Sequence, residues 1–340
     1  MENKKRFNAL DALRGFAAIM VVWYHYGDGP GYLAVDFFLV LSGFVLSHSY
    51  LYSTETKAKT FIVNRIARLY PLHLFTLAIF VIMFFIYHGV LPTYKDGTLF
   101  TLFQNITLTH NIGFNPKGVT WNFPSWSISV EFWVNIIFIL FISKKTRSIT
   151  LFILSVFLLA IIFNNTRHLD TEASNYYGFI NSGLLRGLAS FILGILAYRI
   201  YSFADKNLRY KKAITIFEIL SIFIVTFIVF GRNVNRSSLD FLAPFAFSLV
   251  VVVFSLEKGF ISAFLTKFKY LGTISYSIYL NQIPVLYFFL YIYGDEIWDT
   301  PLLFLPIYTF SLIALSHLTF KFIEHPSRKK IRSLVPSYLK

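Results

Sequence analysis

Apolar residues along the chain fall into ten long runs, near residues 9–27, 32–51, 69–88, 126–143, 148–164, 178–200, 212–231, 239–256, 272–292 and 301–322. Most match the roughly 20 residues an α-helix needs to cross a bilayer core about 30 Å thick. The polar breaks between some runs are short, such as Ser143-Lys144-Lys145-Thr146-Arg147 between the fourth and fifth. The longest gap, 89–125, is mixed in polarity, which suits a loop folded over a site better than a free linker. No repeat, low-complexity tract or soluble domain is visible, so residues 1–340 read as one membrane domain with nothing appended. The opening Met1-Glu2-Asn3-Lys4-Lys5-Arg6 and first run mimic a secretory signal. No small-residue cleavage pattern follows Tyr26, and the run reads as a retained helix. The expected fold is an all-α polytopic membrane protein with about ten transmembrane helices.

Composition agrees with this pattern. Of the 340 residues, 56% are hydrophobic and only 14% charged, against roughly 25% charged in soluble domains. The absence of cysteine excludes disulfides, thiolate metal sites and a Cys nucleophile. A formal charge of +14 raises the question of a nucleic-acid partner, and the placement of the charges answers it. With the N-terminus inside, 24 of the 31 Lys and Arg fall in inside segments, while the outside loops hold only Lys95, Lys117, Arg167, Arg232 and Arg236. The remaining two, Arg14 and Arg186, lie within runs. The surplus is accounted for by a positive-inside orientation with both termini cytoplasmic, and no nucleic acid is needed.

An ionisable group inside a span costs about 2.5–3.5 kcal/mol on insertion scales and points to function. The candidates are Asp11, Arg14, His25, Asp36, Glu131, Arg186 and Glu218. Asp11 and Asp36 lie near run ends and read equally well as helix caps; Glu131 lies deeper and needs a partner or a proton. Arg14 and His25 stand close to three helical turns apart, about 16 Å along one face. A lone His on a helix is more often structural than catalytic. Arg65 and Arg68 are three apart just before the third run, so two guanidiniums share a face and match the geometry of a phosphate grip. From this motif alone the plainer reading is an anchor to lipid phosphates. The histidines show no metal-ligand spacing, and no metal is expected; His88, His110 and His168 read as solvated loop residues, and His325 as part of the cytoplasmic terminus.

Several segments, taken in order, resemble the acyltransferase 3 family of bacterial membrane O-acyltransferases. They are Leu10-Asp11-Ala12-Leu13-Arg14-Gly15 leading to His25, Asp36-Phe37-Phe38 to Ser42-Gly43-Phe44, and Arg65-x-x-Arg68-Leu69-Tyr70-Pro71. Trp126-Ser127-Ile128-Ser129-Val130-Glu131-Phe132, Ser275-Tyr276-Ser277-Ile278-Tyr279-Leu280 and Phe322-Ile323-Glu324-His325-Pro326 complete the series from first run to last. The resemblance implies transfer of an acyl group, most often acetyl, from acetyl-CoA or another acyl-CoA to a hydroxyl of a surface polysaccharide or glycolipid sugar. It also implies the bacterial cytoplasmic (inner) membrane, with membrane lipid, acyl-CoA and a polysaccharide or lipid-linked sugar as partners and no permanently bound cofactor. Arg65 and Arg68 would hold the donor's phosphates. His25 with Arg14 would form a catalytic stripe, with Asp36 or Glu131 orienting or charge-stabilising the imidazole.

The chemistry suits these residue types. A positioned imidazole taking the proton of a sugar hydroxyl contributes about 10²- to 10⁴-fold, and a nearby guanidinium, Trp, Tyr or Ser donor stabilises charge growing on the thioester oxygen. An acyl-His intermediate is a variant on the same residues. Where many relatives have an aromatic and a His in the ninth run, this chain has Asn281-Gln282-Ile283-Pro284, and Gln282 hydrogen-bonds but does not titrate. Two rival readings are weaker. No His-x-x-x-x-Asp of the glycerolipid acyltransferase type occurs, and a transporter or flippase for a lipid-linked sugar would be expected to show repeated halves.

Overall fold

The computed structural model describes residues 5–27, 29–51, 58–95, 97–113, 119–172, 174–207, 210–231 and 236–334. Lys4, Lys57, Lys117, Arg209, Arg232 and Lys340, which enter the charge asymmetry, lie outside the described residues. The helices are α1 (Asn8–Gly27), α2 (Ala34–Leu46), α3 (Ala58–His88), α4 (Thr98–Ile106), α5 (Trp126–Phe141), α6 (Ser148–Thr166) and α7 (Ser182–Asn207). They continue as α8 (Lys211–Phe230), α9 (Ala243–Ser255), α10 (Phe260–Leu265), α11 (Lys269–Tyr293), α12 (Glu296–Asp299), α13 (Pro301–Thr319) and α14 (His325–Ser333). Two-residue strands β1 (Asn175–Tyr176) and β2 (Ile180–Asn181) pair antiparallel between α6 and α7.

Among the described residues, eight helical stretches are long and apolar enough to cross a membrane. They correspond to eight of the ten apolar runs. The other two runs are α1 and α11, helices of 20 and 25 residues. These two carry Asp11, Arg14 and His25, and Asn281 and Gln282, respectively, and they pack against each other and against neighbouring helices. The polar content is tolerated because neighbours, not hydrocarbon, surround it.

The helices divide into inner and outer ones. The stretch containing α2 is mostly buried, whereas those of α6, α8 and α13 are mostly exposed. The outer helices turn bulky side chains such as Phe157, Phe223 and Phe310 outward. In hydrocarbon this costs nothing, so the apolar surface that would aggregate a soluble protein is a lipid-facing belt. Inside, α11 packs on α1, α3 and α13, α7 packs on α2, α5, α6 and α9, and α1 against α2 joins the two groups. Gly272 lies against the backbone of Asp11 where α1 crosses α11, and Gly194 lies against Val40 where α2 crosses α7. A Cβ at either position would collide with main chain, so glycine is what permits these backbones to approach.

Glu218, a buried carboxylate within α8, accepts the backbone N–H groups of Ile261 (2.9 Å) and Ser262 (3.3 Å) at the start of α10. Its charge is therefore absorbed by helix capping. At the far end of the chain, Glu324 is buried and accepts from Ser277 Oγ of α11 at 2.9 Å. A π-helical turn, Phe320–Glu324, separates α13 from α14 at this point. This anchor lays α14 against α3.

Candidate active site

Between the two groups of helices lies a cavity of about 280 Å³. It follows α2 and its continuation from Val35 to Tyr50, about 22 Å at 1.5 Å per residue, which is most of the thickness of a bilayer core. Among the described residues, five guanidiniums (Arg14, Arg65, Arg68, Arg328 and Arg332) and one carboxylate, Glu131, line it. At the opposite end from the α14 arginines its wall is formed by Val35 and Phe38 of α2, Ser127 of α5 and Tyr279 of α11.

Arg65 and Arg68 stand within a continuous α3, so the shared helix face expected from their spacing is present, and both reach the cavity. Arg328 and Arg332 reach it from α14. Among the described residues none of these four side chains makes a hydrogen bond or ion pair, and the Nε atoms of Arg65 and Arg332 are buried without a partner. Arg65 is only 7% exposed, with its guanidinium carbon 5.6 Å from the centre of the Phe61 ring. Burying unpaired like charges around one void is costly, and an anion in the void removes that cost. Arg14 differs. It donates to the Gly272 carbonyl and to Ser275 Oγ (3.0 Å), and pairs with Asp11 at 3.2 Å.

His25 lies on α1 with Arg14 but is not part of the cavity wall. A layer of aromatic and hydroxyl groups separates the two. Tyr279 donates to the Pro124 carbonyl (3.0 Å), its hydroxyl accepts from Ser127 Oγ (2.7 Å), and its ring meets Phe38 edge-on at 5.9 Å. On the residue before Pro124, Phe123, the ring stands perpendicular to the His25 imidazole at 5.0 Å. His25 is half-buried, and among the described residues neither ring nitrogen has a hydrogen-bond partner. The structure thus keeps Arg14 and His25 on one helix and gives them different surroundings.

Asp36 does not meet His25. It is fully buried and held by Arg186 of α7, whose Nη2 lies 2.7 Å from Asp36 Oδ2 and whose Nε is 3.2 Å from both carboxylate oxygens. Ser190 Oγ donates to Oδ1 at 2.7 Å. The remaining guanidinium donors reach the carbonyls of Leu169 and Tyr32, each at 2.7 Å, and the Trp126 ring lies 5.8 Å away. Two of the intramembrane charges read from the sequence are thus partners of each other, saturated by hydrogen bonds.

The expectation that His110 is a solvated loop residue is overturned: it is 2% exposed. Its Nδ1 faces the Gln104 carbonyl at 3.4 Å and its Nε2 faces Ser125 Oγ at 3.2 Å. A carbonyl only accepts, so Nδ1 carries the proton and Nε2 accepts from Ser125. Burial, with His73 nearby, holds the imidazole at about 3, so it stays neutral. The segment from 97 to 113 is folded onto the bundle through such contacts, with Ser129 and Trp133 both donating to the Leu108 carbonyl. His88 is exposed and His168 half-buried.

On the side of His25, the 167–172 loop carries two further acids. Asp170 accepts from Tyr24 Oη (3.1 Å) and Arg236 Nε (2.7 Å). For Glu172, desolvation and then Asp170 push the carboxyl up to about 7. An acid raised in the folded state binds more protons there than when unfolded, so its contribution weakens stability as pH climbs from the ordinary carboxylate range through 7. Glu172→Gln is therefore expected to raise the melting temperature of purified protein at pH 8 and to change it little at pH 5. An equal shift at both values would show that Glu172 is not the titrating group.

A family model described as an acyltransferase domain matches residues 7–321. The chain is similar to the O-acetyltransferase OatA of Staphylococcus aureus, 26% identical over 97% of this chain and 58% of that protein. It is also similar to the peptidoglycan O-acetyltransferase OatA of Listeria monocytogenes, 24% identical over 96% of this chain and 56% of that protein. Protein 2 in the picA locus of Rhizobium radiobacter is 34% identical over 45% of this chain and 91% of its own length. The chain thus spans a little over half the length of the two OatA proteins. No solved structure matches.

Proposed function

The chain belongs to the acyltransferase 3 family, and from that premise we propose a ten-span O-acyltransferase of the bacterial inner membrane with both termini cytoplasmic. It moves an acyl group, acetyl in the first instance, from acyl-CoA to a hydroxyl of a surface polysaccharide or glycolipid sugar. Peptidoglycan, named for the Listeria relative, is an acceptor of that class. One observation carries the reading: a cavity ringed at one end by guanidiniums unpaired among the described residues runs to within one aromatic layer of an imidazole whose nitrogens have no partner among them.

The donor enters at the arginine end, with Arg65 and Arg68 on its phosphates and its thioester carried toward Ser127 and Tyr279. Arg14 and His25 are about 16 Å apart along α1, too far to act on one carbonyl. Arg14 therefore lies along the donor's arm, with Glu131 balancing its charge across the cavity, and His25 serves the acceptor. With the acetyl end of the thioester passed through the Tyr279 layer, the hydroxyl proton passes to His25 as the sugar oxygen attacks the thioester carbon; the C–O bond forms, the C–S bond breaks, and the proton held by His25 is returned to the leaving thiolate, giving CoA thiol and a neutral imidazole again. The hydroxyls of Ser127 and Tyr279, which donate to Tyr279 and to the Pro124 carbonyl in this structure, would turn from those bonds to donate to charge building on the carbonyl oxygen. Asp36 acts through structure, fixing α2 to α7 beside this point.

The test is to supply purified protein in lipid nanodiscs with acetyl-CoA labelled in the acetyl group, and in parallel to express the chain in a strain lacking its gene. Label released from CoA, together with new base-labile ester on a surface glycan by NMR, is the expected result. Protein that binds no acyl-CoA and adds no ester would sink the proposal in favour of transport of a lipid-linked sugar.

A further inference from the structure

We propose that α14 carries a second phosphate site: Arg328 and Arg332 bind a phosphomonoester, the 3′-phosphate on the ribose of the CoA donor, while Arg65 and Arg68 take its diphosphate. This rests on the donor reading above and assigns the discriminating part of it to the last helix.

Arg328 and Arg332 are four apart, one helical turn, on the face of α14 that meets the cavity. Their neighbours Lys329 and Lys330 are exposed and do not line the cavity. A basic run that only anchored the chain to lipid would have no reason to sort its residues this way. The half-buried guanidiniums point inward, and the lysines remain for headgroups. Arg332 Nε is buried without a partner, as is Nε of Arg65, a side chain more than nine-tenths buried facing the same void. The position of α14 is fixed rather than fortuitous, because Glu324 just before it is bonded to Ser277 of α11.

The order of groups along the donor gives the assignment. Counting from the thioester, CoA presents a pantetheine arm, then a diphosphate, then the ribose 3′-phosphate. With the thioester at Ser127 and Tyr279, the diphosphate meets the α3 pair, buried Arg65 and half-buried Arg68, first. The phosphomonoester then falls at the mouth, where α14 leads away from Glu324. A phosphomonoester carries about −1.5 to −2 at neutral pH, which matches two guanidiniums better than one.

The test compares acetyl-CoA with acetyl-3′-dephospho-CoA, binding each to the full chain in phosphatidylcholine nanodiscs. Wild type is expected to bind acetyl-CoA about 10- to 100-fold more tightly, the range for charge-assisted hydrogen bonds. The pair Arg328→Gln and Arg332→Gln removes that preference while leaving acetyl-3′-dephospho-CoA binding nearly unchanged, which also reports an intact cavity. Arg332→Gln alone, on the last turn of α14, gives the same selective loss in smaller measure. Arg65→Gln weakens both donors. Equal wild-type affinity for the two donors would overturn this proposal alone and point to a lipid phosphate at α14. So would variants that weaken both donors by one factor. Wild type that binds neither donor would overturn the donor reading itself.

Discussion

His25→Ala, inserted at wild-type level, is expected to lower ester formation by about 10²- to 10⁴-fold, the usual contribution of a general base, and to leave the dissociation constant for acetyl-CoA within about twofold. The split follows from geometry. The imidazole stands outside the cavity wall, behind Phe123 and the Tyr279 layer, so it contributes nothing to holding the donor. Its loss therefore appears in turnover and not in donor affinity. His25→Gln keeps a hydrogen-bonding side chain but cannot take a proton and should be nearly as inactive. Turnover and donor binding are measured on the same nanodisc preparation. Near-normal turnover in His25→Ala would remove His25 from the chemistry, and a parallel loss of donor binding would place it in the cavity after all.

Arg186→Met is expected to destabilise the fold by about 3–5 kcal/mol, because it leaves the Asp36 carboxylate buried and unpaired. In the wild type that carboxylate takes three hydrogen bonds from Arg186 and one from Ser190, in a site with no access to solvent. Asp36→Leu combined with Arg186→Met should recover much of the loss, since replacing both members of a buried pair by apolar groups is far milder than breaking it. Thermal unfolding of the three variants in one detergent separates the cases. If the double variant is no more stable than the single, the pair is not an isolated unit, and the carbonyls of Leu169 and Tyr32 left by the guanidinium account for the damage.

What could be read in the chain beforehand was local, and what could not was remote. The ten apolar runs became helices because length and periodicity decide that within each segment, and the Arg65/Arg68 face followed from three-residue spacing. The same logic put Arg14 and His25 on one stripe but was silent on what each faces, since the aromatic layer between them comes from α2, α5 and α11 and the stretch before α5. Asp36 looked like a cap because its partner is 150 residues away. Arg328 and Arg332 passed for part of a topological charge surplus. Their four-residue spacing was a usable signal, but only the fold of α14 onto α3 gives it a target. His110 was misjudged because a polar loop was equated with solvent, whereas Gln104 and Ser125 supply its hydrogen bonds indoors.

The Tyr279 layer has an electrical consequence under the proposed orientation. A cavity open at the arginine end carries cytoplasmic potential deep into the membrane, so the transmembrane voltage falls mainly across the thin barrier of Phe38, Tyr279 and Phe123. An ion crossing that barrier would feel nearly the whole field, about 2.3 kcal/mol per charge for each 100 mV. In the proposed reaction the acetyl group is uncharged and would cross it without electrical work, while the highly charged nucleotide end of the donor would stay among the arginines on the near side. Proton leak is opposed by the same arrangement, because the barrier is aromatic and its hydroxyls are already bonded to Pro124 and to each other. On the proposed reading, a building block would pass outward without short-circuiting the membrane in which the enzyme sits.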